Sequence, residues 1–117
     1  MRASELTGPL LACWVAKAMK YENVRIGPIG CSYSVGHITH VFAPHERWDQ
    51  GQLVLEKLLE LGGVSLDKVG DAYFVTVAHK TNRVHHKRVV HEMGETALVA
   101  LCRCYVVITH GAKVPEE

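Results

Sequence analysis

Residues 42–61 read FAPHERWDQGQLVLEKLLEL and decide the local architecture of the chain. A β-rich run that begins at His37 enters this stretch and ends at Pro44, because proline has no backbone N–H to donate to a neighbouring strand. From about Arg47 the apolar residues recur at helical spacing, which predicts a helix that ends at the glycine pair 62–63. The stretch therefore predicts a strand, a sharp stop and a helix in close succession.

Trp48 and Asp49 stand at the start of this helix and have two interpretations. In the first, Trp48 anchors the helix in the core and Asp49 caps it, at capping-box spacing from Gln52. In the second, Trp48 is exposed at an interface, where tryptophan is enriched. Under the second interpretation, Trp48 and Asp49 are candidate binding residues. The predicted buried side of the helix consists of Val54, Leu55, Leu58 and Leu59.

Helical periodicity also predicts a first helix, with Thr7 as its N-cap and an apolar stripe that runs from Leu6 to Met19, and a third helix from Glu95 to His110. Residues 20–36 are rich in glycine and proline and predict a loop, with room for a short edge strand at 24–26. Strands are predicted at 37–43, 64–66, 71–79 and 84–91. The fold class is α+β, with a small, mostly antiparallel sheet and three helices. Periodicity leaves open whether the helices cover one sheet face or both, as in an α/β/α sandwich.

The chain has 117 residues, which predicts a single domain over 1–117. Thirteen basic and twelve acidic residues leave a formal net charge of +1, a smaller basic excess than dedicated nucleic-acid-binding proteins carry. The four cysteines form no Cys-x-x-Cys motif, and the eight histidines form no compact ligand signature. The sequence therefore predicts no metal site and no cofactor.

No apolar run reaches the roughly 18 residues of a membrane span. The N-terminal residues 1–9 lack the hydrophobic region of a signal peptide. We therefore expect a protein of the host cell cytoplasm that has no membrane partner.

Two His-x-Thr triplets, His37-Ile38-Thr39 and His79-Lys80-Thr81, each lie at or near a predicted strand. They are similar to the paired triplets of the two-histidine phosphoesterases. That resemblance implies His37 and His79 as general acid and base and Thr39 and Thr81 as phosphate-binding groups. It suggests a nucleotide or another phosphate as ligand. The competing interpretation is chance pairing in a chain rich in histidine.

A basic run extends from residue 80 to residue 88 and contains Lys80, Arg83, Lys87 and Arg88. Positive charge at this density attracts phosphate-rich partners such as a nucleic acid. The alternative is an edge strand that lysine and arginine keep from pairing with other chains. Both interpretations stay open.

Three segments resemble the NinX-like bacteriophage proteins, and their order along the chain agrees with that family. Residues 5–18 read ELTGPLLACWVAKA, residues 42–52 read FAPHERWDQGQ, and residues 95–103 read ETALVALCR. The resemblance implies a phage or prophage protein with a small α/β/α sandwich domain, and it implies no reaction. We therefore expect an accessory protein that binds a host protein or an anti-phage defence complex, and we favour this binding role over an enzymatic one. Homodimer formation is left open.

Overall fold

The computed structural model describes residues 1–80 and 87–115, which form three α-helices and two three-stranded antiparallel sheets. The elements in chain order are α1 (Gly8–Ala18), β1 (Arg25–Gly27), β2 (Gly30–Val35), β3 (Ile38–Val41), α2 (Trp48–Leu61), β4 (Gly62–Val69), β5 (Ala72–Lys80), β6 (Lys87–Gly94) and α3 (Ala97–His110). The α+β class predicted from the sequence is confirmed, and the strands divide between two sheets instead of forming one. None of the described helices is long and apolar enough to cross a membrane.

The first sheet has the order β1-β2-β3 and includes a strand, β2, that the sequence did not predict. The expected loop over residues 20–36 was therefore wrong in part. Gly30 and Gly36 have φ angles of 102° and 61°, which place them in the turns at either end of β2. Between them, Cys31 is buried and Tyr33 stacks on Tyr21. The glycines that suggested a loop mark two hairpin turns.

The second sheet has the order β4-β5-β6, and one of its faces packs against α2 and α3, whereas α1 packs against the first sheet and α3. On that face Val75, Val77 and Val90 are buried in the core. On the opposite face Phe74 and Met93 are exposed. This part of the fold therefore has two layers and not the three of a sandwich. The predicted turn at Thr81–Asn82 lies outside the described residues.

Helix α3 is the centre of the molecule. It contacts α1, α2, β5 and β6, and its residues Leu98, Leu101, Cys102 and Tyr105 are buried, as the periodicity predicts. Thr96 caps the helix, because its side chain accepts a hydrogen bond from the Val99 backbone N–H at 3.1 Å. Gly111 follows as the C-cap.

Candidate functional site

The side chain of Gln50 holds the end of β3 against the start of α2. The backbone N–H of Ala43 donates to Gln50 Oε1 at 2.6 Å, and Gln50 Nε2 donates to the carbonyl oxygen of Val41 at 2.9 Å. The side-chain amide of Gln50 thus pairs with the backbone at the end of β3 as a neighbouring strand would. Pro44, the next residue, has no backbone N–H with which to continue such pairing. The first turn of α2 is therefore fixed relative to the sheet.

Gly51 lets α2 approach its neighbours closely. A Cβ atom at this position would lie 2.7 Å from the Pro44 carbonyl oxygen and would overlap the side chain of Leu98 on α3. Any larger residue must push the helix away from α3. Gly51, Val54 and Leu58 form the buried side of α2.

Trp48 is the first residue of α2, and its exposed fraction is 56%. The expectation that Trp48 anchors the helix in the core was wrong, because the contact at Gly51 turns a different side of the helix inwards. Arg47 is the N-cap, and no side chain caps the backbone there, so the capping role expected of Asp49 is wrong as well. Asp49 lies inside the first turn, and its two oxygens each accept a hydrogen bond from Arg47 at 3.2 Å.

Trp48, Leu55 and Leu59 form one side of α2, which we call the apolar stripe. Positions 48 and 59 are separated by about 20° around a helix with 3.6 residues per turn, and position 55 lies beside them. Leu55 is half-buried, whereas Leu59 is 55% exposed, so its predicted burial was wrong. Leu53 and Lys57 lie on another side of the helix, where they line a groove with Met19 and Tyr21.

Polar pairs border the apolar stripe. The Arg47–Asp49 ion pair lies at its N-terminal end. Gln52 lies beside the stripe, about 20° from Leu59 around the helix, and donates to Glu56 at 3.3 Å. An apolar centre with a polar rim is the usual anatomy of a protein–protein interface. The stripe can therefore accommodate a partner surface without burying an unpaired charge.

The residues predicted for phosphate chemistry lie in different parts of the fold. His37 and Thr39 are exposed on the β2–β3 hairpin of the first sheet, where the Thr39 and Ser34 hydroxyl oxygens are 3.5 Å apart. His79 belongs to β5 of the second sheet, and Thr81 lies outside the described residues. His37 and Thr39 therefore share one hairpin, and their joint action with His79 and Thr81 on one phosphate stays a prediction.

The basic run meets at one end of the second sheet. In the backbone register, Lys80 lies opposite Lys87, and His79 lies opposite Arg88. Arg83 lies outside the described residues. The register therefore places two lysines, one arginine and one histidine on two neighbouring rungs of the β5–β6 ladder.

The four cysteines are free and buried. Burial raises the pKa of Cys102 and of Cys104 to about 12 and also raises the pKa of Cys13 and Cys31. A thiol with a raised pKa stays protonated and is a poor nucleophile. Among the described residues, no group of three or more histidine, cysteine or acidic side chains could hold a metal ion.

Sequence reasoning missed Gln50 and the exposure of Leu59. A glutamine one residue before a glycine carries no periodic signal of its own. Its role depends on where β3 ends, and the face of α2 that Leu59 occupies depends on the fit of Gly51 against α3.

The chain matches a known protein family. A family model described as "Bacteriophage P22, NinX" matches residues 2–109, which include every helix except the last residue of α3. None of the curated proteins matches the chain.

Proposed function

We propose that this chain, which belongs to the NinX family of bacteriophage proteins, is a phage accessory protein that acts by binding. Its partner is a protein of the bacterial host, such as a component of an anti-phage defence complex. The apolar stripe of α2 is the contact surface. The exposed Trp48 is the observation that carries this proposal.

Trp48 is suited to be the centre of an interface because it is large, apolar and held in place. Tryptophan is enriched among the few residues that supply most of the binding energy of protein complexes. Covering the exposed part of an aromatic side chain of this size contributes about 2–3 kcal/mol. Gln50 and Gly51 fix the helix that carries it, so little ordering is needed on binding.

Affinity capture from the bacterial host tests the proposal. The tagged chain and its Trp48→Ala and Leu59→Ser variants are expressed in the host, and captured proteins are quantified by mass spectrometry. We expect one host protein to be recovered with the unchanged chain and to be lost with both variants. Leu53→Ala is the matched control, because Leu53 is an exposed leucine of the same helix outside the stripe.

Retained recovery with Trp48→Ala, or equal loss with Leu53→Ala, would remove the stripe from the proposal. Thermal melting of each purified variant separates lost binding from lost folding. A second copy of the chain is the competing occupant of the same stripe. Sedimentation of the purified protein distinguishes the two. A dimer that dissociates in the Trp48→Ala variant would show that the stripe binds a second copy of the chain and not a host protein.

A second candidate function, nucleic-acid binding, rests on the register of the basic run. In the backbone register, two neighbouring rungs of the ladder pair Lys80 with Lys87 and His79 with Arg88 at one end of the sheet. If several phosphates are contacted there, affinity for a short DNA duplex falls steeply between about 50 and 200 mM salt.

The paired substitutions Lys80→Gln and Lys87→Gln should flatten this salt dependence. Lys57→Gln with Lys68→Gln is the matched control, which removes the same charge elsewhere. Binding that does not change with salt, or that both pairs weaken equally, would contradict a phosphate contact at the basic run.

A further inference from the structure

Arg103 is a buried charge in the middle of the apolar helix α3, with an exposed fraction of 9%. Its Nε donates to the carbonyl oxygen of Leu6 at 3.0 Å, and its Nη1 donates to the carbonyl oxygen of Met93 at 2.7 Å. Arg103 takes part in none of the ion pairs between described residues. Glu92 supplies an opposite charge that interacts with Arg103, but it is not within ion-pair distance. A buried guanidinium is costly unless its donors are hydrogen-bonded, so the donor at Nη2 calls for a partner.

The guanidinium group of Arg103 is not fully enclosed. Nη2 forms no hydrogen bond with the described residues, and it retains some contact with solvent. Arg103 lines a cavity of about 430 Å³ beside Asp71 and Glu95, with Val69 and Met93 as apolar walls. This volume lies within the range of small-molecule sites, about 300–1,000 Å³.

The charges around the cavity limit what can enter. Arg103 supplies one positive charge, and the exposed Asp71 and Glu95 supply two negative charges without pairing to it. A phosphate dianion that approached the guanidinium would meet both carboxylates. Glu92 experiences the charge of Arg103 but lines a different cavity, beside Arg2 and Lys113.

We propose that this cavity binds a small zwitterion of the α-amino acid class. The ligand carboxylate accepts from Arg103 Nη2, and its ammonium group lies towards Asp71 and Glu95. A charge-assisted contact to a guanidinium is strong and directional, and it supplies a hydrogen-bond acceptor for Nη2, which has none among the described residues. Val69 and Met93 contact the ligand side chain.

The local fold brings these groups together from three elements. Asp71 lies in the β4–β5 turn, Glu95 lies between β6 and α3, and Arg103 is on α3. Gly94 allows the end of β6 to lie against α3, since a Cβ there would be 2.6 Å from the Ala100 backbone nitrogen. The site is therefore built from one turn, one connecting segment and one helix, which are distant in the sequence.

Titrations followed by amide NMR shifts test the site on the full chain. L-Alanine should produce saturable shifts at residues 69–72 and 93–95. Acetate and methylammonium, which carry one charge each, should bind at least roughly tenfold more weakly. The absence of saturable shifts with L-alanine would overturn the proposal, and so would tighter binding of inorganic phosphate.

Two variants separate binding from folding, because neither touches the hydrogen bonds of Arg103. Ala72→Leu narrows the cavity and should abolish the shifts, whereas Ala78→Leu, on the same strand outside the cavity, should preserve them. Asp71→Asn should reduce the affinity for L-alanine towards that for acetate. Unchanged affinity in both Ala72→Leu and Asp71→Asn would show that L-alanine binds elsewhere.

Discussion

Helices α2 and α3 each have 14 residues, yet they stand in opposite relations to the core. Nine residues of α3 are buried, from Leu98 to Val107, whereas α2 buries only Gly51, Val54 and Leu58. Helix α2 nevertheless carries Trp48 and several leucines that stay exposed. The difference shows that the apolar residues of α3 form the core. The exposed apolar residues of α2 are not used by the core and can contact a partner.

The largest expected effect tests whether the leucines of α3 stabilise the fold more than the exposed leucines of α2. Leu101→Ala on α3 removes a side chain that is 2% exposed and should lower the free energy of unfolding by about 2–5 kcal/mol. Leu59→Ala on α2 is the matched change, and it should alter the unfolding free energy by no more than about 0.5 kcal/mol. Urea denaturation of both variants measures the difference. Equal losses would show that Leu59 is buried in solution.

Gly51 is the place where α2 does depend on tight packing. Gly51→Ala forces a methyl group against the Pro44 carbonyl oxygen and Leu98. We expect a net loss of about 1–3 kcal/mol of stability, although alanine is the better helix former. The neighbouring exposed change Gln52→Ala should be nearly neutral in the same denaturation experiment. A stabilised Gly51→Ala variant would contradict the close approach of α2 to α3.

The starts of the two helices should respond differently to the loss of a polar side chain. Thr96→Ala removes the acceptor of the Val99 N–H and should cost about 1 kcal/mol. Asp49→Ala removes only an exposed ion pair with Arg47, worth about 0–1 kcal/mol, and no cap. Thermal melts compare the two variants. A loss at Asp49 that exceeds the loss at Thr96 would restore the capping role that the sequence suggested.

The smallest expected effect concerns the pH dependence of stability and His45, which lies in the short turn before α2. Burial lowers the pKa of His45 below its ordinary value, and Glu46 partly offsets this shift. Because the folded-state pKa lies below the unfolded value near 6.5, the neutral form stabilises the fold above that pH. Stability should therefore decline as the pH falls below about 6.5.

His45→Gln should reduce this pH dependence, which melting temperatures between about pH 7.5 and 5 would measure. His37→Gln, at an exposed position, should leave the slope unchanged. The same slope in both variants would assign the acid sensitivity to other groups, including His110, whose pKa is also lowered by burial.

Local signals predicted much of the fold. Pro44 and the glycine pair 62–63 predicted the bounds of α2 to within one residue. Proline lacks a backbone N–H and glycine has a flexible backbone, and both properties affect the chain only at that position. Strand β2 was missed, because its flanking glycines suggest a loop unless the pairing with β1 and β3 is known. Turn residues mark where the chain bends and do not reveal which segments pair.

The candidate sites depend on contacts between distant parts of the chain. Periodicity identified the apolar residues of α2 and could not tell which of them the rest of the fold covers. The fit of Gly51 against Leu98 on α3 makes that choice. Arg103 gave a signal as a lone charge in an apolar run, but its partner is the carbonyl oxygen of Leu6, 97 residues away in the sequence.

Photo-crosslinking in the bacterial host tests whether the apolar stripe of α2 is the binding surface. A photoreactive phenylalanine derivative is placed at Gln52, which borders the stripe beside Leu59, or at Lys57, on another side of the same helix. We predict that the probe at position 52 crosslinks one discrete host protein and that the probe at position 57 does not. Crosslinks of equal yield from both positions, or from position 57 alone, would contradict the assignment of the apolar stripe as the contact surface.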